Sequence, residues 1–151
     1  MVPTVLIPYD GSPQARAALE HAADRFPEAA LVLLSVINPA EHTYATTEEG
    51  ISPLPENWYE SARDKVQRDL ERAREGVAED RAVETVVELG RPAQAIVDFV
   101  HEHDVDHVVI GSHGRSGVTR VLLGSVAEAV VRRCPVPVTV VKAAPDEDPD
   151  Q

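Results

Sequence analysis

The sequence predicts an α/β fold in which an open, five-stranded parallel sheet is doubly wound, with helices on both faces. Five strand-like runs alternate with helical patterns along the chain, which is typical of βαβ units. The runs at residues 31–37 and 107–110 are almost entirely apolar, as expected of parallel strands covered on both faces. With 151 residues, of which 43% are hydrophobic, the chain has the size of one domain with a proper core.

The first strand is predicted at residues 4–9 and ends in the turn Asp10-Gly11-Ser12-Pro13. Ser12 is a typical N-cap residue and Pro13 suits the first helical position, so a helix is expected to begin there. Its apolar residues recur at helical spacing as far as residue 26. The second strand follows at residues 31–37.

A connection of 19 residues, 38–56, follows the second strand and contains three prolines and one glycine. Connections of this length are uncommon and serve as lids or binding loops, or are disordered. A second helix is predicted over residues 56–78, with a charged face opposite its apolar one. The alternating run at residues 83–89 predicts a half-exposed or edge strand, and Pro92 opens the third helix.

The fourth strand, at residues 107–110, leads into a glycine-rich loop, and a helix follows as far as residue 133. The fifth strand is predicted at residues 137–142. Residues 143–151 carry four acidic residues and two prolines, a composition typical of a disordered tail. One domain is therefore predicted over residues 1–142, followed by an acidic tail.

The loop after the fourth strand carries the most informative motif, Gly111-Ser112-His113-Gly114, nine further residues, and then Gly124-Ser125. Glycines at a strand end and at a helix start let backbone N–H groups approach an anion without hindrance from a Cβ atom. The N–H groups of Gly124, Ser125 and Val126 are expected to face phosphate, aided by the helix dipole and the Ser125 hydroxyl. The motif favours a phosphate site, although glycine loops also occur as plain tight turns.

Local charge agrees with a phosphate site. Between Gly111 and Arg133 the chain carries four arginines and one acidic residue. Arg115 is the best candidate for a phosphate contact because it lies inside the loop, whereas arginines at the far end of the helix would complement its negative pole. His113 could also bond phosphate, but a loop histidine more often has no such role.

The loop after the first strand is the second marked loop. In open parallel sheets, ligands bind beyond the carboxyl ends of the strands where the strand order reverses. Residues 8–12 and 111–117 meet there if their strands are neighbours. Asp10 would repel phosphate without a metal, which leaves hydrogen bonds to a base or ribose, or a Mg²⁺ ion. The alternative is that Asp10 closes its own turn.

Two nucleotide-site motifs are missing from the sequence. It has neither the G-x-x-x-x-G-K-[ST] pattern of P-loop enzymes nor a G-x-G-x-x-G pattern after the first strand. The histidines show no metal-ligand spacing with cysteine or carboxylate partners. No Ser-His-Asp or Cys-His set can be assigned, so neither catalytic nor metal-ligating residues are predicted.

The chain is strongly acidic, with 26 Asp and Glu against 14 Lys and Arg and a formal net charge of -12. Only two of the basic residues are lysines, which favours solubility in concentrated salt and a halophilic source. An ordinary acidic protein with biased genomic base composition is the alternative. A chain this negative is expected to bind neither nucleic acid nor an anionic membrane.

The sequence predicts a cytoplasmic protein. It contains no run of 18 apolar residues and no secretory signal. Its single cysteine, Cys134, fits a reducing compartment and is interpreted as a small buried apolar residue rather than a reactive thiol.

These residues together resemble a known family. The glycine motif, after an apolar strand and before Pro135-Val136-Pro137-Val138, is similar to the ATP-binding signature of the universal stress protein family. Residues 5–12 resemble the opening strand and loop of that family, and residues 33–36 resemble its second strand. The resemblance covers all but the acidic tail and implies a Rossmann-like sheet of the adenine-nucleotide alpha-hydrolase type.

The resemblance implies a stress-response protein that binds ATP or AMP, with or without Mg²⁺. The implied residues at the adenine and ribose are Pro8, Asp10, Val36, Ile110 and Gly111, and those at the phosphates are Gly114, Gly124, Ser125 and Val126. It also implies a homodimer through the last strand, Val138 to Val141, which would cover an otherwise unprotected sheet edge.

ATP is then expected to be a regulatory ligand with at most slow hydrolysis, because no base for a water can be assigned. Two alternatives stay open, an adenylating enzyme of the alpha-hydrolase type and an interaction module that has lost nucleotide. The chain leaves little room for the substrate domain of such an enzyme, and a module without nucleotide would lack Gly124-Ser125, which is present.

Overall fold

The computed structural model describes residues 2–42, 44–47, 50–53, 56–77, 79–113 and 123–142. The strands are β1 Thr4–Pro8, β2 Ala30–Ile37, β3 Tyr44–Thr47, β4 Gly50–Pro53, β5 Val83–Leu89, β6 His107–Gly111 and β7 Val138–Val141. The helices are α1 Pro13–Arg25, α2 Trp58–Glu75, α3 Pro92–Glu102 and α4 Ser125–Arg133. The alternation of strands and helices confirms the predicted fold class.

Five strands form one parallel sheet in the order β5-β2-β1-β6-β7. β1 lies at its centre, with Thr4 beside Ala30 of β2 and Val5 beside His107 of β6. The chain extends the sheet from β1 first towards β5 and then, in the other direction, towards β7. The strand order therefore reverses between β1 and β6, which are neighbours as the site hypothesis requires.

Each face of the sheet is covered by two helices because successive residues of a strand point to opposite faces. In β1, Val5 and Ile7 belong to one buried core with residues of α1 and α2, whereas Leu6 belongs to a second core with residues of α3 and α4. Strands covered in this way need apolar residues on both sides, which explains the unbroken apolar runs.

The connection between β2 and α2 differs from the prediction. In place of a loop without regular structure it contains a 3₁₀ turn, Pro39–His42, and an antiparallel hairpin in which β3 pairs with β4. The helix that follows is shorter than predicted. It begins after Asn57 and ends before Gly76.

Among the described residues, the edges of the parallel sheet are β5, with seven residues, and β7, with four. β5 pairs only with β2 within the described residues, which confirms the edge position predicted from its alternating sequence. β7 forms the other edge, and all four of its residues are half-buried. The predicted dimer strand is therefore an edge strand.

Arg81 caps the C-terminal end of α1, an interaction that sequence reasoning missed. Its guanidinium donates hydrogen bonds to the carbonyl oxygens of Ala23, Phe26 and Ala29 at 3.0, 2.6 and 2.9 Å. The last carbonyls of a helix have no partner within the helix, so a cation at this position satisfies them and complements the helix dipole. The arginine therefore ties the segment before β5 to the end of α1.

We expect Arg81→Met to lower the free energy of unfolding by about 2 kcal/mol, because hydrogen bonds from a charged donor are lost. Methionine keeps most of the aliphatic stem. Urea unfolding of the two proteins measures the difference. Arg132→Met is a matched control, because Arg132 is largely exposed and, among the described residues, forms an ion pair with Glu128 alone, at 3.3 Å. Equal losses in the two variants would contradict the capping role.

His107 begins β6, at the end of the strands opposite the two marked loops. Its Nε2 atom lies 2.7 Å from Oγ1 of Thr139 on β7, and its ring packs against Phe26 with centroids 4.9 Å apart. Burial lowers the pKa of His107, and His21 lowers it further by a smaller amount. The folded protein therefore prefers the neutral imidazole.

The depressed pKa of His107 predicts a loss of stability in mild acid. An unfolded histidine titrates near its ordinary value of about 6.5, so below that pH the unfolded state binds more protons than the native state. The free energy of unfolding is expected to fall as the pH decreases through this value towards the lower native pKa. His107→Gln should flatten this dependence, whereas His101→Gln, at an exposed position of α3, should not. If the free energy of unfolding depended on pH in the same way in His107→Gln and in the parent, the role of His107 would be contradicted.

Candidate functional site

The loop between β1 and α1 is a tight turn that exposes Asp10. The Oδ1 atom of Asp10 accepts a hydrogen bond from the N–H of Ser12 at 2.9 Å. Gly11 has a φ of 80°, a left-handed conformation that favours glycine. Ser12 then caps α1, since its Oγ accepts from the N–H of Ala15 at 3.1 Å, and Pro13 opens the helix. Asp10 thus closes its own turn, as the alternative interpretation held, and this fixes the direction of its carboxylate.

Hydrogen bonds anchor this loop to β2. The N–H of Tyr9 donates to the carbonyl of Leu34 at 2.8 Å, and the hydroxyl of Ser35 donates to the carbonyl of Tyr9 at 2.5 Å. Tyr9 itself is buried, and burial raises the pKa of its phenol. Val36, the predicted adenine contact on β2, is half-buried one residue beyond Ser35. The structure therefore brings Pro8, Asp10 and Val36 to the same end of the sheet.

The end of β6 lies beside this loop and packs tightly against α1. Ile110 and Gly111 are buried, and the N–H of Ser112 donates to the carbonyl of Val141 at 2.8 Å. A Cβ atom on Gly111 would lie 2.8 Å from the carbonyl carbon and from the Cβ of Gln14, in the first turn of α1. A contact between Gly111 and a ligand stays a prediction, but this glycine also has a packing role. Its missing side chain makes room for Gln14.

The start of α4 is held against the same loop. Gly124 is the N-cap residue, and its carbonyl accepts the N–H of Glu128 at 2.9 Å. Its own N–H donates to the carbonyl of Ser112 at 2.6 Å, so the expectation that this N–H is free for phosphate is wrong. The N–H groups of Ser125 and Val126 lie in the first turn, where helix geometry supplies no acceptor within the helix. They can serve an anion.

The structure therefore brings most of the predicted site residues together. Carboxyl ends of neighbouring parallel strands share one sheet edge, so the β1–α1 loop and the β6 end lie side by side, and the Ser112–Gly124 bond adds the start of α4. Gly114 and Arg115 lie outside the described residues. Arg132 and Arg133 lie in the last turn of α4, as expected for residues that complement its negative end.

A groove of about 850 Å³ lies elsewhere, between α1 and α2. Residues of both helices line it, and it reaches Tyr9 and Gly11 at one end. Its lining includes none of the residues that are predicted to bind the nucleotide. We therefore place the candidate site at the strand ends, where the topology and the marked loops coincide, and not in this groove.

The described residues show neither a metal-binding cluster nor a membrane-spanning helix. Within them, no group of three or more His, Cys, Asp or Glu side chains could hold a metal ion. Among the helices that the structure describes, none is long and apolar enough to cross a bilayer.

Cys134 is half-buried, and burial raises the pKa of its thiol, which agrees with its interpretation as a packing residue. The cytoplasmic location stays a prediction.

Comparison with known proteins identifies relatives over almost the full chain. The model of the universal stress protein family matches residues 1–142. Universal stress protein YxiE of Bacillus subtilis is 32% identical over 145 residues, which cover 91% of this chain and 97% of that protein.

Solved structures support the same relationship. The structure of hypothetical protein MJ0577, from Methanocaldococcus jannaschii, has a TM-score of 0.82 and 28% identity, with 95% of this chain and 98% of that chain covered. A universal stress protein solved in complex with cAMP has a TM-score of 0.62 and 25% identity, with the same shares of the two chains covered.

Proposed function

The chain belongs to the universal stress protein family, and we propose that it binds an adenine nucleotide, with ATP acting as a regulatory ligand. The observation that carries the proposal is the meeting of the β1–α1 loop, the β6 end and the α4 start where the strand order reverses. The similar protein that was solved with cAMP supports an adenine nucleotide as the class of ligand.

The adenine and ribose are proposed to lie between β1 and β6, against Pro8, Asp10, Val36 and the Ile110–Gly111 segment. A carboxylate offers about four acceptor positions, so Asp10 can bond the Ser12 N–H and also accept from a ribose hydroxyl or the base amino group. Its negative charge suits this end of the nucleotide better than the phosphate end.

The phosphates are proposed to lie at the start of α4. The N–H groups of Ser125 and Val126 and the hydroxyl of Ser125, which is exposed, would donate to phosphate oxygens. Gly124 contributes differently, because its N–H bonds Ser112 and its small size lets the loop approach the helix. Gly114 and Arg115 remain proposed contacts from the sequence. Mg²⁺, when present, would be held mainly by the phosphates.

The first experiment is mass spectrometry of any nucleotide that copurifies with the protein, followed by calorimetric titration of the nucleotide-free protein. We expect ATP or AMP to copurify, ATP to bind more tightly than adenosine, and GTP, the matched control, to bind weakly. Incubation of the complex with Mg²⁺ should yield ADP only slowly. The absence of heat on titration with ATP, AMP and cAMP would contradict the proposal.

A homodimer through β7 is a second part of the proposal. The carbonyls of Pro137 and Val141 face β6, because they accept hydrogen bonds from N–H groups on that side. Successive residues of a strand direct their backbone groups to opposite sides, so the N–H and C=O groups of Val138 and Val140 face the open edge. Two copies can pair antiparallel through these groups. We expect a dimer in light scattering, and a monomer for Val140→Pro, which removes an outward N–H. A dimeric Val140→Pro variant would contradict this interface.

A halophilic source is proposed from the acidic composition. At low ionic strength a net charge of -12 destabilises the compact state by self-repulsion, and salt screens it. We expect the melting temperature to rise steadily as potassium chloride is increased from about 0.1 M to 2 M, by more than the rise for a neutral protein of this size. Full stability at low salt would contradict the proposal.

A further inference from the structure

His113, for which the sequence left a bond to phosphate open, has an unusual ring environment. Its Nε2 atom is buried and has no hydrogen-bond partner, the one such side-chain nitrogen or oxygen found in the described part of the chain. Its Nδ1 atom lies 3.2 Å from Oγ of Ser112. Buried polar atoms are nearly always bonded, so an unpartnered one needs an explanation, and a site for a ligand is one.

The ring lies against the start of α4. A Cβ atom built on Gly124 would be 3.4 Å from Cα of His113 and 3.8 Å from its ring carbon Cδ2, which is bonded to Nε2. The Ser112 carbonyl, one residue earlier, accepts the Gly124 N–H. Nε2 is therefore beside the helix turn whose N–H groups are proposed to hold phosphate.

The Ser112 hydroxyl lies beside Nδ1 of His113 and can set which ring nitrogen carries the proton. Ser112 is buried, with 3% of its surface exposed, and its backbone N–H donates to the carbonyl of Val141 on β7, while its Oγ lies near Nδ1 of His113. When that hydroxyl donates to Nδ1, the proton of the neutral imidazole is on Nε2. Nε2 is then a hydrogen-bond donor, the kind of group that a phosphate oxygen accepts.

We propose that Nε2–H of His113 donates to a phosphate oxygen of the bound nucleotide and so selects phosphorylated adenine ligands over adenosine. The proposal rests on the proposed function and adds a residue to that site. The bond would also give the buried nitrogen a partner that the unliganded protein lacks.

The test compares two amides that copy different ring nitrogens. The side-chain nitrogen of His113→Gln can take the place of Nε2, whereas that of His113→Asn takes the place of Nδ1. In calorimetry, His113→Asn should bind ATP about tenfold more weakly, as expected for one bond to a charged acceptor, with adenosine affinity unchanged. His113→Gln should retain ATP affinity within about threefold. His101→Gln, on the exposed face of α3, is the control and should match the parent.

Three results would overturn the inference. They are an unchanged ATP affinity in His113→Asn, an equal fall in its affinity for ATP and for adenosine, and an equal loss of ATP affinity in His113→Asn and His113→Gln. Each of these results points to a packing role. Should His113→Asn not fold, His113→Ala is expected to show the same selective loss of ATP. If the parent protein binds no adenine ligand, the proposed function itself is contradicted. That outcome is distinct from a loss of affinity that appears only in the His113 variants.

Discussion

Gly111→Ala is expected to lower the free energy of unfolding by about 3 kcal/mol and the melting temperature by about 6–12 °C. The added Cβ would lie 2.8 Å from the carbonyl carbon of Gln14 and 2.9 Å from its carbonyl oxygen, distances that real Cβ atoms essentially never show. Backbone must therefore move. The first turn of α1 is held by the Ser12 cap, and β6 is hydrogen-bonded to a strand on each side. Moving either element therefore costs free energy of folding.

Chemical unfolding of Gly111→Ala beside Gly76→Ala measures this effect. At Gly76, which ends α2, a Cβ would lie 3.5 Å from the Ala73 carbonyl, an ordinary contact, and φ is -76°. We expect Gly76→Ala to change stability by less than about 1 kcal/mol. Equal stability of the two variants would show that α1 moves away from β6 at little cost. Nucleotide affinity should also fall in Gly111→Ala, because Ser12, which caps the displaced helix start, is hydrogen-bonded to Asp10.

The sheet could be predicted from sequence because its pattern is local. Unbroken apolar residues mark the covered strands, alternation marks the edge strand β5, and Ser12-Pro13 marks the start of α1. The hairpin of β3 and β4 carries weaker signals. Its strands have four residues each, and Glu48-Glu49 stands between them in place of a glycine-containing turn sequence.

The meeting of the two marked loops was predictable, and the packing around their glycines was not. A topological rule brings the ends of β1 and β6 together, whatever the side chains. A glycine in a motif shows that no Cβ is present, but not which neighbour occupies that space. At Gly111 the neighbour is Gln14, and at Gly124 it is the Ser112 carbonyl. The Arg81 cap was hidden for a similar reason, because its acceptors lie 52 to 58 residues earlier in the chain.

Gly124→Val is expected to weaken ATP binding by about a hundredfold or more, as for the loss of two bonds to a charged ligand. A Cβ there would lie 3.1 Å from the Ser112 oxygen, which also accepts the Gly124 N–H, and 3.4 Å from Cα of His113. The valine methyl groups reach further, so the loop and the helix start must separate. The Ser125 and Val126 N–H groups then no longer converge with the loop on the proposed phosphate position.

The fold should survive Gly124→Val, because the strain is confined to the rim of the sheet, and the loss of stability should be about 1–2 kcal/mol. Adenosine, which is proposed to contact the ends of β1, β2 and β6, should bind as before. Val131→Ala is the control in the same helix, where the side chain is 45% exposed, and should leave both affinities unchanged. If calorimetry gave Gly124→Val the ATP affinity of the parent, the phosphates could not lie at the start of α4. If ATP and adenosine weakened together, the valine would have disturbed the whole site, and the division between a base end at β1 and a phosphate end at α4 would be lost.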